Sequence, residues 1–205
     1  MEDFFATTTD DELVAAGQLH AYLIPEPTSR REIFKYRDAF VGLDYLAPQP
    51  EEALHLTVAR FKQADDASLR ELLPELANNS HIRALPVLSG RWHDPICANH
   101  SAIMHCDIPR WDELIAATNA CAHEVLGSDA VCYPAPFASH LTLAYGIGQG
   151  ADDCVISAMS ECRRTRNITL PTQEVFSCLA WCMVRQHRDQ GIYTFEVLTT
   201  TPFTQ

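Results

Sequence analysis

Apolar and aromatic residues mix along "LHAYLI" (19–24), which ends at Pro25, and this pattern predicts a strand. Ser29-Arg-Arg-Glu32 has capping-box spacing, and Ile33, Phe34, Arg37 and Phe40 follow at helical intervals, which predicts a helix behind that strand. "LHLTVARF" (54–61) predicts a second strand, and Asp66 opens a helix with Leu69, Leu72, Leu73 and Leu76 on one stripe. "ALPVLSGRW" and "SAIMHCDI" predict further strands. A helix after them carries Trp111, Leu114, Ile115, Thr118, Ala122 and Val125 on one face and stops at Gly127. "SHLTLAYG" (139–146) predicts the next strand, and Asp152 and Asp153 start a helix with Val155, Ile156, Met159 and Cys162 inward. "VFSCLAWCMVR" and "IYTFEVLTT" then predict two long strands around a turn at Gly191. Strands interleaved with helices and joined partly by hairpins indicate an α+β protein. No Ser/Pro/Gly linker divides it, so residues 18–205 read as one bilobal domain behind an acidic N-terminal arm, residues 1–17.

One pattern occurs twice. His55-Leu-Thr57 in the second strand returns 85 residues later as His140-Leu-Thr142. Alternation on a strand puts His55, Thr57 and Ala59 on one face and Leu56 and Val58 on the other, and it does the same for His140, Thr142 and Ala144 against Leu141 and Leu143. If the strands adjoin, two imidazoles and two hydroxyls converge. Breaking a P–O bond needs a base for the attacking oxygen and an acid for the leaving oxygen, and histidine titrates near neutral pH. Threonine hydroxyls can donate to the non-bridging oxygens that carry charge in the transition state. His55 and His140 are therefore the candidate catalytic pair, Thr57 and Thr142 the candidate phosphate holders, and the scheme needs neither metal nor cofactor. Tyr22, Trp92, Tyr145, Trp181 and Arg185 fall on or near the same strands as candidate substrate contacts, since aromatics stack bases and Arg holds phosphate.

Composition narrows the substrate. With 47% hydrophobic residues in 205, the chain can fill a sizeable core. Its formal net charge of −12 opposes long polyanions, whose binding needs many cationic contacts. A small phosphate site remains open to it, because the basic residues are 13 Arg against 2 Lys and Arg grips phosphate with a planar fork. The expected partner is a small nucleotide or short RNA bearing a cyclic or 2′-linked phosphate, and the expected state is a monomer. No apolar run reaches membrane-span length and "MEDFFATTTDDEL" lacks signal-peptide order, so the expected location is cytoplasmic. The eight cysteines read as buried thiols, and His93, Cys97, His100, His105 and Cys106 match no recurrent zinc spacing.

The paired H-x-[ST] motifs, with "LHAYLIP", "PFASHLTLAYG" and the closing "RDQGIYTFEVLTTTPF", resemble the 2H phosphoesterase superfamily, which includes the bacterial 2′-5′ RNA ligase and cyclic phosphodiesterase group. The resemblance implies a bilobal α+β fold, two antiparallel sheets with outer helices around a central cleft. It also implies metal-independent hydrolysis of cyclic or 2′-linked nucleotide phosphates, with His55, Thr57, His140 and Thr142 in the motif positions. The leading expectation is hydrolysis of nucleoside or RNA 2′,3′-cyclic phosphates to 2′-phosphates. The alternatives are 2′-5′ phosphodiesterase or ligase activity and, in another class, a non-catalytic nucleotide-binding module. Gly146-x-Gly148-x-x-Ala151 also fits a dinucleotide fingerprint, but Asp152 and Asp153 sit where a pyrophosphate would lie and would repel it.

Overall fold

The structure of the chain, a computed structural model, describes residues 1–7, 16–63, 67–131 and 138–204. Asp66, most of the acidic arm beyond Thr7, and Cys132 lie outside the described residues. The chain opens with a short helix, α1 (Phe4–Thr7), and the first predicted strand is β1 (Gln18–Leu23). Leu19, Ala21 and Leu23 of β1 enter the main hydrophobic core while Tyr22 enters a second cluster, as expected of a strand covered on both faces. α2 (Pro27–Phe34) starts earlier than the capping-box spacing predicts, because Pro27 occupies the first turn, where its missing N–H costs nothing. A 3-10 helix (Lys35–Phe40), β2 (Leu46–Pro48) and a 3-10 turn (Glu51–Ala53) lead to β3 (Leu56–Arg60), the first motif strand.

After it come α3 (Ala67–Asn78), α4 (Ser80–Arg83), β4 (Leu88–Trp92), β5 (Ile96–Ala98) and β6 (Ser101–Asp107). α5 (Trp111–Val125) follows, then β7 (His140–Gly146), which is the second motif strand, and α6 (Asp152–Thr165). The chain ends in β8 (Glu174–Phe176), β9 (Cys178–His187) and β10 (Ile192–Pro202). Ser177 divides the penultimate predicted strand into β8 and β9. In α6, Val155, Met159 and Cys162 are buried as the stripe predicts, but Ile156 points outward and is 46% exposed.

All named strand pairs are antiparallel, and the strands run in the order β10-β9-β1-β3-β7-β6-β4-β8, with β2 on β7 and β5 on β6. The two expected sheets are present as two halves, β10-β9-β1-β3 and β7-β6-β4-β8, that abut through the single pair Leu56–Leu141. α3 packs on β10 and α5 on β3, while α6 packs on the 3-10 helix at 35–40. The main core lies under these helices, and a smaller, aromatic cluster containing Tyr22, Cys182, Val184 and Tyr193 lies on the other face of β1, β9 and β10. That other face is the concave cleft. No described helix is long and apolar enough to cross a membrane. The described cysteines are free; Cys106, Cys121, Cys162 and Cys182 are buried as expected, whereas Cys154 is exposed.

Trp181 shows how the core fixes β9. Its indole N–H donates to Thr201 Oγ1 (2.9 Å), and that hydroxyl donates to the Leu76 carbonyl (2.7 Å), all out of water. Thr201→Val keeps the shape and orphans two buried polar groups, so it should cost about 1–3 kcal/mol. Thermal denaturation should then show a fall of roughly 2–4 °C for each kcal/mol.

Candidate active site

Both motif strands carry a β-bulge at the same offset. β1 pairs Ala21 with Ala59 and Tyr22 with Thr57, leaving Val58 as the extra residue, and β6 pairs Ala102 with Ala144 and Ile103 with Thr142, leaving Leu143. An unpaired residue reverses the facing of everything after it. Ala59 and Ala144, expected beside the threonines, therefore turn into the main core with Val58 and Leu143. Arg60 and Tyr145 turn the other way. Arg60 stands opposite His20 and Tyr145 opposite Ser101, on the cleft face with Thr57 and Thr142. The 85-residue offset of the motif holds for this pair as well, 60 to 145.

The single pair Leu56–Leu141 is antiparallel, so the two motifs are exchanged across the joint: His55 stands level with Thr142, and Thr57 with His140. Each imidazole is oriented by its own loop. His55 Nδ1 donates to the Ala53 carbonyl (2.6 Å), and His140 Nδ1 donates to the Ala138 carbonyl (2.8 Å). A carbonyl can only accept, so Nδ1 carries the proton in both rings and Nε2 keeps a lone pair for the cleft. A backbone carbonyl behind the ring fixes tautomer and ring plane together.

Tyr22 stacks on His55 with ring centroids 3.7 Å apart and planes 19° from parallel. Phe195 meets both rings edge-on, at 5.2 Å from Tyr22 and 5.5 Å from His55. Behind Tyr22 runs a buried relay. Gln18 Oε1 accepts from His20 Nε2 (3.0 Å), which leaves His20 Nδ1 to accept the Tyr22 hydroxyl (2.7 Å). This requires a neutral His20, and burial, followed by the Arg60 and His55 charges, holds its pKa well below the ordinary histidine value. On the other motif strand the Tyr145 and Thr142 side chains share a hydrogen bond, and the Tyr145 ring lies 5.2 Å from that of Tyr193.

Burial is the largest cause depressing both motif histidines. It pushes His55 down to about 4, with the Arg60 and His140 charges adding to it against the Ala53 hydrogen bond. His140 is also lowered, with His105 and Arg60 adding to burial against the Ala138 hydrogen bond. The Arg60 guanidinium thus acts on both histidines and on His20, and it opposes the burial that raises Tyr22, Tyr145 and Tyr193. It is the cation of the site, and the alternation rule hid it by placing it on the far face.

Of the further candidate contacts, Tyr22 and Tyr145 lie in the cleft, and the rest sit elsewhere. Trp181 is fully buried on the core side, 5.6 Å from Phe61. Trp92 is also in the core, where its N–H donates to Glu174 (2.8 Å). Arg185 shares the face of Trp181 and Met183, since Cys182 and Val184 between them belong to the cleft cluster. His93, Cys97, His100, His105 and Cys106 form no group of three metal-ligating side chains among the described residues. His105 instead pairs with His140 in register, their rings 6.2 Å apart.

Arg60→Met should raise the His55 pKa, because a cation that disfavours imidazolium is removed; it should stay below the ordinary value of 6.5 because burial remains the larger cause. Imidazole NMR titration measures it, and an unmoved pKa would show that the Arg60 charge does not reach the ring.

No protein-family model matches the chain, and no curated protein matches it. Solved structures do. TT0787 of Thermus thermophilus superposes with a TM-score of 0.67 at 15% identity, over 90% of this chain and 97% of that one. A crystal structure described as that of a phosphoesterase gives 0.65 at 16%, over 93% and 99%. E. coli LigT complexed with 3′-AMP gives 0.65 at 17%, over 92% and 99%. Crystals of LigT with NADP+, ATP and phosphate also match. The chain therefore has the fold of LigT and of these phosphoesterase-like structures, nearly end to end.

Proposed function

We propose that this protein is a phosphodiesterase that hydrolyses nucleoside or RNA 2′,3′-cyclic phosphates to 2′-phosphates without a metal or cofactor. The observation that supports it most directly is the exchanged register of the two motifs, which sets each motif histidine level with the other motif's threonine while its Nδ1 is held by a backbone carbonyl. A phosphate seated across the joint meets imidazole on two sides and hydroxyls on the other two. The fold shared with LigT, crystallised with 3′-AMP, ATP and phosphate, supports a nucleotide ligand.

In the reaction one neutral imidazole takes a proton from water as its oxygen bonds to phosphorus. The other, protonated, gives its proton to the ribose 3′-oxygen as the P–O3′ bond breaks, which leaves the 2′-phosphate. His55, the more deeply depressed of the two, stays neutral and suits the base; His140 suits the acid. Thr57, Thr142 and the Arg60 charge hold the non-bridging oxygens. Both imidazoles, both hydroxyls and the cation are present, which favours turnover over a binding module. The same atoms would serve a 2′-5′ linkage, and a panel of 2′,3′-cyclic nucleotides and 2′-5′ oligoadenylate, with products separated by phosphate position, tests the choice.

His55→Ala or His140→Ala should lower kcat by about 10²–10⁴ with the fold retained, and near-normal turnover in either folded variant would end the two-histidine reading. The double variant should lose far less than the product of the two. The pH profile follows from the shifts. Residues alone predict limbs on either side of neutrality, but both pKa values lie below 6.5, so the competent form, one ring neutral and one protonated, peaks on the acid side. kcat/KM should therefore rise through about 4 and fall below 6.5. Bound phosphate stabilises imidazolium, so the kcat profile should extend to higher pH than that of kcat/KM. Activity should survive exhaustive chelation by EDTA, and loss restored by zinc would overturn the metal-free scheme.

A further inference from the structure

The first residues of the chain lie in the cleft. Phe4 packs on Tyr145 at 4.5 Å and Phe5 at 5.7 Å between ring centroids, and the same two rings reach Tyr193 at 6.4 and 6.1 Å. Tyr145 belongs to the second motif strand and Tyr193 to β10, at the far edge of the other half. The pair of phenylalanines therefore spans the cleft from one half to the other, beside the Tyr145–Thr142 hydrogen bond. The segment is built in. Asp3 Oδ1 caps α1 by accepting from the backbone N–H groups of Phe5 (2.8 Å) and Ala6 (3.1 Å), and Glu2 N donates to the Asn99 carbonyl (2.8 Å). Phe5 is only 7% exposed. Gly146, at the end of β7, is where this segment passes: a Cβ there would overlap the Glu2 carbonyl oxygen and stand 3.1 Å from the Met1 side chain.

The opposite end of the cleft is not filled in this way. Past Tyr22 and His55 the concave face continues into a hollow of about 230 Å³ lined by Ile24, Ala180, Val197, Thr200 and Arg30. Arg30 lies at this hollow, and among the described residues its Nε has no hydrogen-bond partner. A substrate at the two histidines thus has room on the Ile24 side of its phosphate and meets aromatic rings on the Tyr145 side.

We propose that Phe4 and Phe5 form the end wall of the substrate cleft and select phosphodiesters that carry a nucleoside on one side of the phosphate only, namely cyclic phosphates, over linkages that carry one on each side. This rests on the functional reading above and separates its two substrate classes. A nucleoside on the walled side would have to displace two packed rings, and a misfitting apolar contact is worth roughly 10–200-fold in discrimination.

The test uses adenosine 2′,3′-cyclic phosphate as substrate and adenylyl-(2′→5′)-adenosine as competitor, with its inhibition constant as the readout. Phe4→Ala removes the half-buried ring, and Gly146→Ala displaces the segment from beneath without altering any aromatic. Both should lower the inhibition constant by about tenfold or more, while kcat/KM for the cyclic phosphate stays within about threefold of the unsubstituted protein. Circular dichroism and thermal denaturation confirm that each variant folds. An unchanged inhibition constant in the two folded variants, or dinucleotide preferred by the unsubstituted protein, overturns the wall. Absence of any turnover of the cyclic phosphate by the unsubstituted protein overturns the functional reading instead, and the wall with it.

Discussion

A strand that carries one unpaired residue turns every later side chain to the opposite face, and in this chain both motif strands do so at the same step. Val58 and Leu143 are the extra residues, and without them Arg60 and Tyr145 would point into the core. The cleft positions of Arg60 and Tyr145 depend on that reversal. The bulge keeps His and Thr where simple alternation puts them and adds a third cleft-facing position in each strand. One such position holds a guanidinium and the other a phenol, so two halves of like geometry differ in charge. Each histidine is nonetheless held by the same kind of carbonyl.

The order of helices and strands was legible in the sequence because each element carries its period openly. The apolar and aromatic run of 19–24 and the stripe from Trp111 to Val125 correspond to β1 and α5. The repeated motif was visible as well, since repetition at a fixed offset needs no structure to be seen, and it made His55, Thr57, His140 and Thr142 the candidates. Arg60 was not. It lies five residues after His55, which strict alternation assigns to the other face, and a bulge leaves no composition signal in "HLTVAR". Its one sequence trace was the extension of the repeat to Tyr145. Trp92 and Trp181 misled for the opposite reason: an aromatic on a cleft strand has equal claim to either face, and their N–H groups satisfied Glu174 and Thr201 inside the core.

Charge acts on two scales. The formal net charge is −12, yet the cleft carries the Arg60 guanidinium close enough to act on the buried Tyr22 and Tyr193. A cation in low-dielectric surroundings acts over a longer range than the same cation on the surface. Burial, the largest cause in both, favours the neutral form of the two motif histidines.

The halves of the sheet meet through one residue pair, Leu56–Leu141, and each half carries one motif histidine. The two rings therefore sit on opposite sides of a joint that has a single backbone pair. The aromatic bridge from Tyr145 through Phe4 and Phe5 to Tyr193 lies across that joint like a tie-rod. Its rings hold β7 against β10 from the cleft side, so the contact between the two halves is carried by side-chain packing as well as by that one backbone pair.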